Sequence, residues 1–127
     1  MERTVLLYNF TGKRLQCVKK SLMMLGCAVK AVRQKDFDLT IGEVLGQKPD
    51  KKTDSPKNPG SFKDEMLVMY GFEGEMIDVL IAALKMGGVG KIDLKAIVTD
   101  HNINWSGTRL YKEIKAEHNM MNKTIRE

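Results

Sequence analysis

The amino-acid sequence predicts an α/β fold made of two β-α-β-α units, and three observations lead there. Val5–Tyr8 and Met66–Tyr70 are short, continuously apolar runs, as expected of central strands covered on both faces. Each run leads into a helical pattern that closes near a glycine, Gly26 in one case and Gly87-Gly88 in the other. Finally, a shift of 62 residues aligns the two halves: Tyr8 meets Tyr70, Phe10 meets Phe72, Gly12 meets Gly74 and Gly26 meets Gly88. Beyond a short insertion the offset becomes 65, so that Val29–Val32 falls on Leu94–Ile97 and Gly42 on Gly107. Such an ordered set of matches reads as an internal duplication.

The elements follow in order. The first helix, about Lys13 to Leu25, gathers Leu15, Val18, Leu22 and Leu25 on one face and its lysines on the others. Val29–Val32 alternates, with Lys30 pointing out, and reads as an edge strand. Asp38–Leu45 reads as a short helix. The second long helix, about Glu75 to Met86, is apolar almost all round, which predicts burial on more than one side. Its acidic start (Glu73, Glu75, Asp78) and Lys85 near its end suit the helix dipole. Asp93–Val98 is the second edge strand, and a last helix runs from about Trp105 to Asn119.

Two arrangements place the first and third strands at the centre. The ferredoxin-like sandwich is favoured. The alternative is a doubly wound four-stranded parallel sheet in the order 2-1-3-4, which would need Asp38–Leu45 to serve as a crossover helix. Since the central strands look apolar on both faces, the last helix, the short helix or a second subunit is expected over the second face. The chain of 127 residues is thus read as one domain. It comprises a first unit at 4–46, a flexible Lys/Pro-rich loop at 47–63 and a second unit at 64–119. The loop holds all three prolines and five lysines, too polar to repay its own ordering.

Composition excludes several classes. The hydrophobic fraction is 43% and the charged fraction 29%, which is globular. No apolar run is long enough to span a bilayer, and Met1–Thr4 leads straight into a short apolar run with no small-residue cleavage site after it, so no signal peptide is expected. Cys17 and Cys27 lack a metal-binding spacing, so reduced thiols, no metal and no cofactor are expected in a cytoplasmic protein. The net charge of +5 is uneven: residues 1–63 carry 13 basic against 6 acidic side chains, residues 64–127 carry 8 against 10. Much of the excess lies in the loop. The chain also lacks an aromatic RNA-binding strand motif, which argues against a dedicated nucleic-acid binder.

Two segments carry site chemistry. Thr99, His101, Asn102, Asn104 and Trp105 lie where a strand gives way to the last helix, a common ligand position in α/β proteins. His101 supplies an imidazole and Trp105 offers a ring for stacking. The bland alternative is that Asn102 or Asn104 caps the helix while Trp105 packs against the core. Thr11, Gly12, Lys13 and Arg14 open the first helix, where backbone N–H groups and two cations could hold an anion, although the P-loop spacing is absent. No nucleophile, base and orienting acid can be named together, so no enzyme is expected.

The stretch from Met66 to His118 also resembles a bacterial family catalogued as domain of unknown function 3783. The resemblance rests on Gly71-Phe72 after the strand, Val98-Thr99 after the next, and Asn102-Ile103-Asn104-Trp105 before the final helix. The first half resembles the region that commonly precedes this domain, through Asp36, Gly42, Leu45 and Gly46. The resemblance implies no activity. The expected function is a small non-catalytic binding or regulatory module, self-associating through the apolar helix Met76–Leu84 or through an edge strand at Val29–Val32 or Leu94–Val98. The rival readings are a nucleic-acid-binding accessory protein using the basic first half, and a small enzyme built around His101.

Overall fold

The structure is a computed structural model that describes residues 3–46, 62–89 and 92–126, with backbone alone for 120–126. The expected loop at 47–63 lies for the most part outside the described residues. The chain order is β1 (Thr4–Tyr8), α1 (Gly12–Met23), β2 (Ala28–Val32), α2 (Ile41–Val44), β3 (Met66–Tyr70), α3 (Glu75–Met86), β4 (Leu94–Ile97) and α4 (Gly107–Arg126). Single 3-10 turns at Gln34–Asp36 and Asn102–Asn104 lead towards α2 and α4.

The strands form one sheet in the order β2-β1-β3-β4. β2 runs parallel to β1, β4 runs parallel to β3, and the two central strands are antiparallel. The α/β class and the 2-1-3-4 order are therefore those of the second arrangement above, with a mixed rather than an all-parallel sheet. The favoured ferredoxin-like order is not adopted: β2 pairs with β1, not with β3. The antiparallel centre also removes the objection raised by the short helix. Val32 at the end of β2 pairs with Tyr8, and Tyr8 pairs with Met66 at the start of β3. The chain leaves β2 and enters β3 at the same end of the sheet, so no crossover helix is required.

Alternation of side chains divides the core between two faces. Val5, Leu7, Leu67 and Met69 pack with Val18 and Leu22 of α1 and with Leu80 and Leu84 of α3. Leu6, Tyr8, Met66, Val68 and Leu94 pack with Phe37, Phe62, Ile41 and Val44 of α2, and Leu110 of α4. Both central strands are thereby buried on both sides, which explains their unbroken apolar runs. The short helix and the last helix together cover the second face.

α3 departs from expectation. Leu80 and Leu84 are buried, but Val79, Ala82 and Met86 are exposed, because this layer holds only α1 beside it. α1 and the end of α3 touch closely: a Cβ on Gly87 would lie 1.9 Å from Ser21 Oγ.

The backbone repeats as well as the sequence. Asn9 and Gly71, Gly12 and Gly74, and Gly26 and Gly88 all have positive φ, and the members of each pair stand 62 residues apart. In the sheet, Leu6 pairs with Val68, again 62 apart, so the antiparallel pairing is centred on matching residues. In β2 and β4, however, Ala28 takes the place of Leu94, an offset of 66. A shift of 65 would put Val29, on the α1 face, in register with Leu94, on the α4 face. The same offset of 66 relates Thr40 and Ser106, which form an isolated antiparallel bridge.

Candidate functional site at the outer edge of the sheet

β4 closes one side of the sheet, and the chain after it builds a groove along its outer edge. A hydrogen-bonded loop sets the groove's shape. Asn102 is buried; its Oδ1 accepts from the Thr99 N–H at 2.7 Å, and its own N–H donates to Thr99 Oγ1 at 3.1 Å. Its Nδ2 donates to Ile97 O at 3.0 Å. The Val98 N–H donates inward to Met69 O, so in this parallel ladder the neighbouring Ile97 directs its backbone groups outward. Asn102 thus satisfies the last outward carbonyl of β4 and fixes the turn into α4.

That turn places Trp105. Its carbonyl accepts from the Ile41 N–H at 2.9 Å, and its ring packs against the α4-face core. The Arg109 guanidinium lies 4.4 Å from the centre of the Trp105 ring, a cation–π contact. Ser106 Oγ accepts from the Arg109 N–H at 3.1 Å and caps α4, a role the sequence had suggested for Asn102 or Asn104.

The groove has a volume of about 440 Å³. One wall is Met69, Ile77 and Ile97; the other is Trp105, Leu110, Ile114, Glu113 and Glu117, with Lys95 and Ala96 of β4 between them. Ile97 is 40% exposed, an unusual solvent position for a strand isoleucine. Of the residues picked from the sequence, Asn102 and Trp105 line this groove. Thr99 acts one step back, by holding Asn102. His101 and Asn104 are exposed and are not part of the lining. Ile77 and Ile97 fall in segments expected to self-associate, Met76–Leu84 and Leu94–Val98, whereas sequence reasoning missed Glu113 and Glu117. For the two glutamates the available signal was their four-residue spacing around Ile114 on an amphipathic helix.

A polar cluster anchors α4 beside the start of β3. Tyr111 Oη donates to Asp64 Oδ2 at 2.6 Å, and Lys115 Nζ lies 3.2 Å from the same oxygen. These partners hold the Asp64 carboxyl below its usual range, and the Asp64 carboxylate pushes the Tyr111 hydroxyl up to about 12. The Tyr111 ring stacks on Phe62 at 4.1 Å, and Phe62 stacks on Phe37 at 4.7 Å. Asn9, held at φ 67°, donates from Nδ2 to Phe62 O and Asp64 O, which fixes the entry into β3.

The start of α1 is arranged differently from an anion cradle. Thr11 is extended and makes no side-chain cap, Gly12 is left-handed and Lys13 is exposed. Arg14 Nε lies 2.7 Å from both carboxylate oxygens of Glu65, and its guanidinium also sits over the Phe10 ring. That charge is neutralised within the fold.

Among the described residues there is no group of three metal-ligating side chains, and no helix is long and apolar enough to cross a membrane. No curated protein and no solved structure gives a significant match to the chain. A family model does match the half that builds the groove: residues 65–121, from just before β3 into α4, match a domain of unknown function, DUF3783.

Proposed function

We propose that this chain is a non-catalytic, cytoplasmic binding module that takes an extended partner segment in the groove at the outer edge of β4. The observation that carries this reading is the groove's composition. It joins a sheet edge, an exposed isoleucine and a loop-fixed tryptophan between two helices, the combination that strand addition uses. The cytoplasmic assignment is supported by two free thiols, Cys17 and Cys27. The repeated backbone conformations support an origin by duplication, with the second copy carrying the binding site.

Trp105 is the only tryptophan in the chain, so its emission reports on the groove. Titration with a short peptide of alternating valine and threonine is expected to shift that emission saturably. Ile97→Asp should abolish the response while leaving the thermal midpoint nearly unchanged, since the residue is partly exposed. An unchanged response in Ile97→Asp would remove the groove as the site.

Self-association is a second reading, favoured by a different observation. Met23, Met24 and Met86 are 69%, 83% and 89% exposed, on helix ends that meet at Ser21 and Gly87. Light scattering on a size-exclusion column should then show a dimer that Met24→Glu dissociates. A monomer at high concentration ends this reading.

A further inference from the structure

The partner class of the β4 groove follows from the charge of its walls, and this step rests on the groove reading above. Glu113 and Glu117 line the α4 wall, are exposed, and have no ion-pair or hydrogen-bond partner among the described residues. Of the cations near them on α4, Lys115 pairs with Asp64 and Arg109 covers Trp105, while Lys112, next to Glu113, is exposed. The α4 wall is therefore acidic and the opposite wall apolar, with Lys95 of β4 between them and its Nζ donating to Ile92 O, in a chain whose net charge is +5. Four residues of helix rise about 6 Å. Two residues of strand rise about 6.6 Å. The two carboxylates thus match the spacing of alternate side chains on an added strand.

We infer that the partner is a protein segment that adds to β4 as a strand and carries lysine or arginine at two alternate positions facing Glu113 and Glu117. Apolar side chains at the intervening positions pack on Ile77 and Ile97. A second copy of β4 meets this specification poorly, because its four residues, Leu94–Ile97, hold one lysine and no second cation two residues away.

The test uses three eight-residue peptides that alternate valine with lysine, threonine or glutamate, read by Trp105 emission. The lysine peptide should bind about 5-fold or more tighter than the threonine peptide at low salt. That advantage should vanish in the double variant Glu113→Gln, Glu117→Gln and in about 0.5 M salt. A lysine peptide N-methylated along its backbone should not bind. Equal affinity for the lysine and threonine peptides overturns the basic partner and leaves the groove standing. Silence with all three peptides overturns both. Binding that survives N-methylation overturns strand addition. A β4-dependent dimer in the absence of peptide, lost in Ile97→Asp, overturns the inference in favour of a second copy.

Discussion

The two halves of the fold share a strand–helix–strand–helix order and differ most in their last helix. α2 is a single turn, Ile41–Val44, whereas α4 runs from Gly107 to Arg126. Both begin alike: Thr40 Oγ1 accepts from the Glu43 N–H and Ser106 Oγ from the Arg109 N–H, and the two caps meet in one antiparallel bridge. They end differently for a local reason. Gly46 adopts φ 92° and closes α2, while the residue 66 positions later, Lys112, continues α4. The longer helix extends along β4 and carries Glu113, Ile114 and Glu117 to its outer edge. Among the described residues the shorter one gives the β2 edge no such wall, and Lys30 of β2 reaches across to Val44 O instead. One shared architecture thus carries an α4 wall at the β4 edge and, among the described residues, no matching wall at the β2 edge, because a helix was or was not stopped after its first turn.

The largest expected effect tests how α4 is held. Phe62→Ala removes the ring that joins Phe37 to Tyr111 and should cost about 3–5 kcal/mol in urea unfolding. A loss below about 1 kcal/mol would mean that α4 docks by other contacts. Next is Gly107→Ala, whose new Cβ would lie 2.6 Å from the Tyr8 ring and 3.0 Å from Phe37 O. Since Tyr8 is fully buried, overpacking should cost about 1–3 kcal/mol.

A matched pair sharpens the comparison directly. Thr40→Ala and Ser106→Ala should each cost about 0.5–2 kcal/mol. Thr40 should be the more costly, since it makes a reciprocal capping box with Glu43 on a helix too short to hold itself. Equal losses would show that helix length does not set the cap's weight.

The smallest effect is the pH dependence of the α4 anchor. Asp64 has a lowered folded pKa, so its contribution is full above the ordinary carboxylate range and fades as pH falls through the folded value. Tyr111 has a raised folded pKa, so its contribution is full below the ordinary phenol value and is lost as pH rises through about 12. Ultraviolet titration should place the Tyr111 phenol near 12 and move it down towards its ordinary value in Asp64→Asn. Lack of movement would separate the phenol from the carboxylate.

Much of this was legible in the residues themselves. Continuous apolar runs marked the central strands, alternation the edge strands and helical patterning the long helices, with β3 and α3 at the observed boundaries. Asn102 and Trp105 were picked out as site residues because loop chemistry concentrates at strand ends. The 65-residue offset for the edge strands was one residue short: sequence similarity aligned the lysines, while burial aligns the faces. The apolar surround of α3 overstated its burial, since hydropathy along a helix does not reveal how many neighbours it will have.

By itself the sequence determined the α/β class, the eight main elements in order, the doubled pattern and the segment that matches DUF3783. Only the tertiary structure decided that β1 and β3 run antiparallel, that α2 and α4 share one face, and that α4 walls the β4 edge. The physical reason is range. Propensity and periodicity act within a turn or a strand and are indifferent to strand direction. The pairing of Leu6 with Val68, or of Tyr111 with Asp64, depends on residues brought together by the whole chain. The groove belongs to the second kind, as its walls come from β3, α3, β4 and α4 at once.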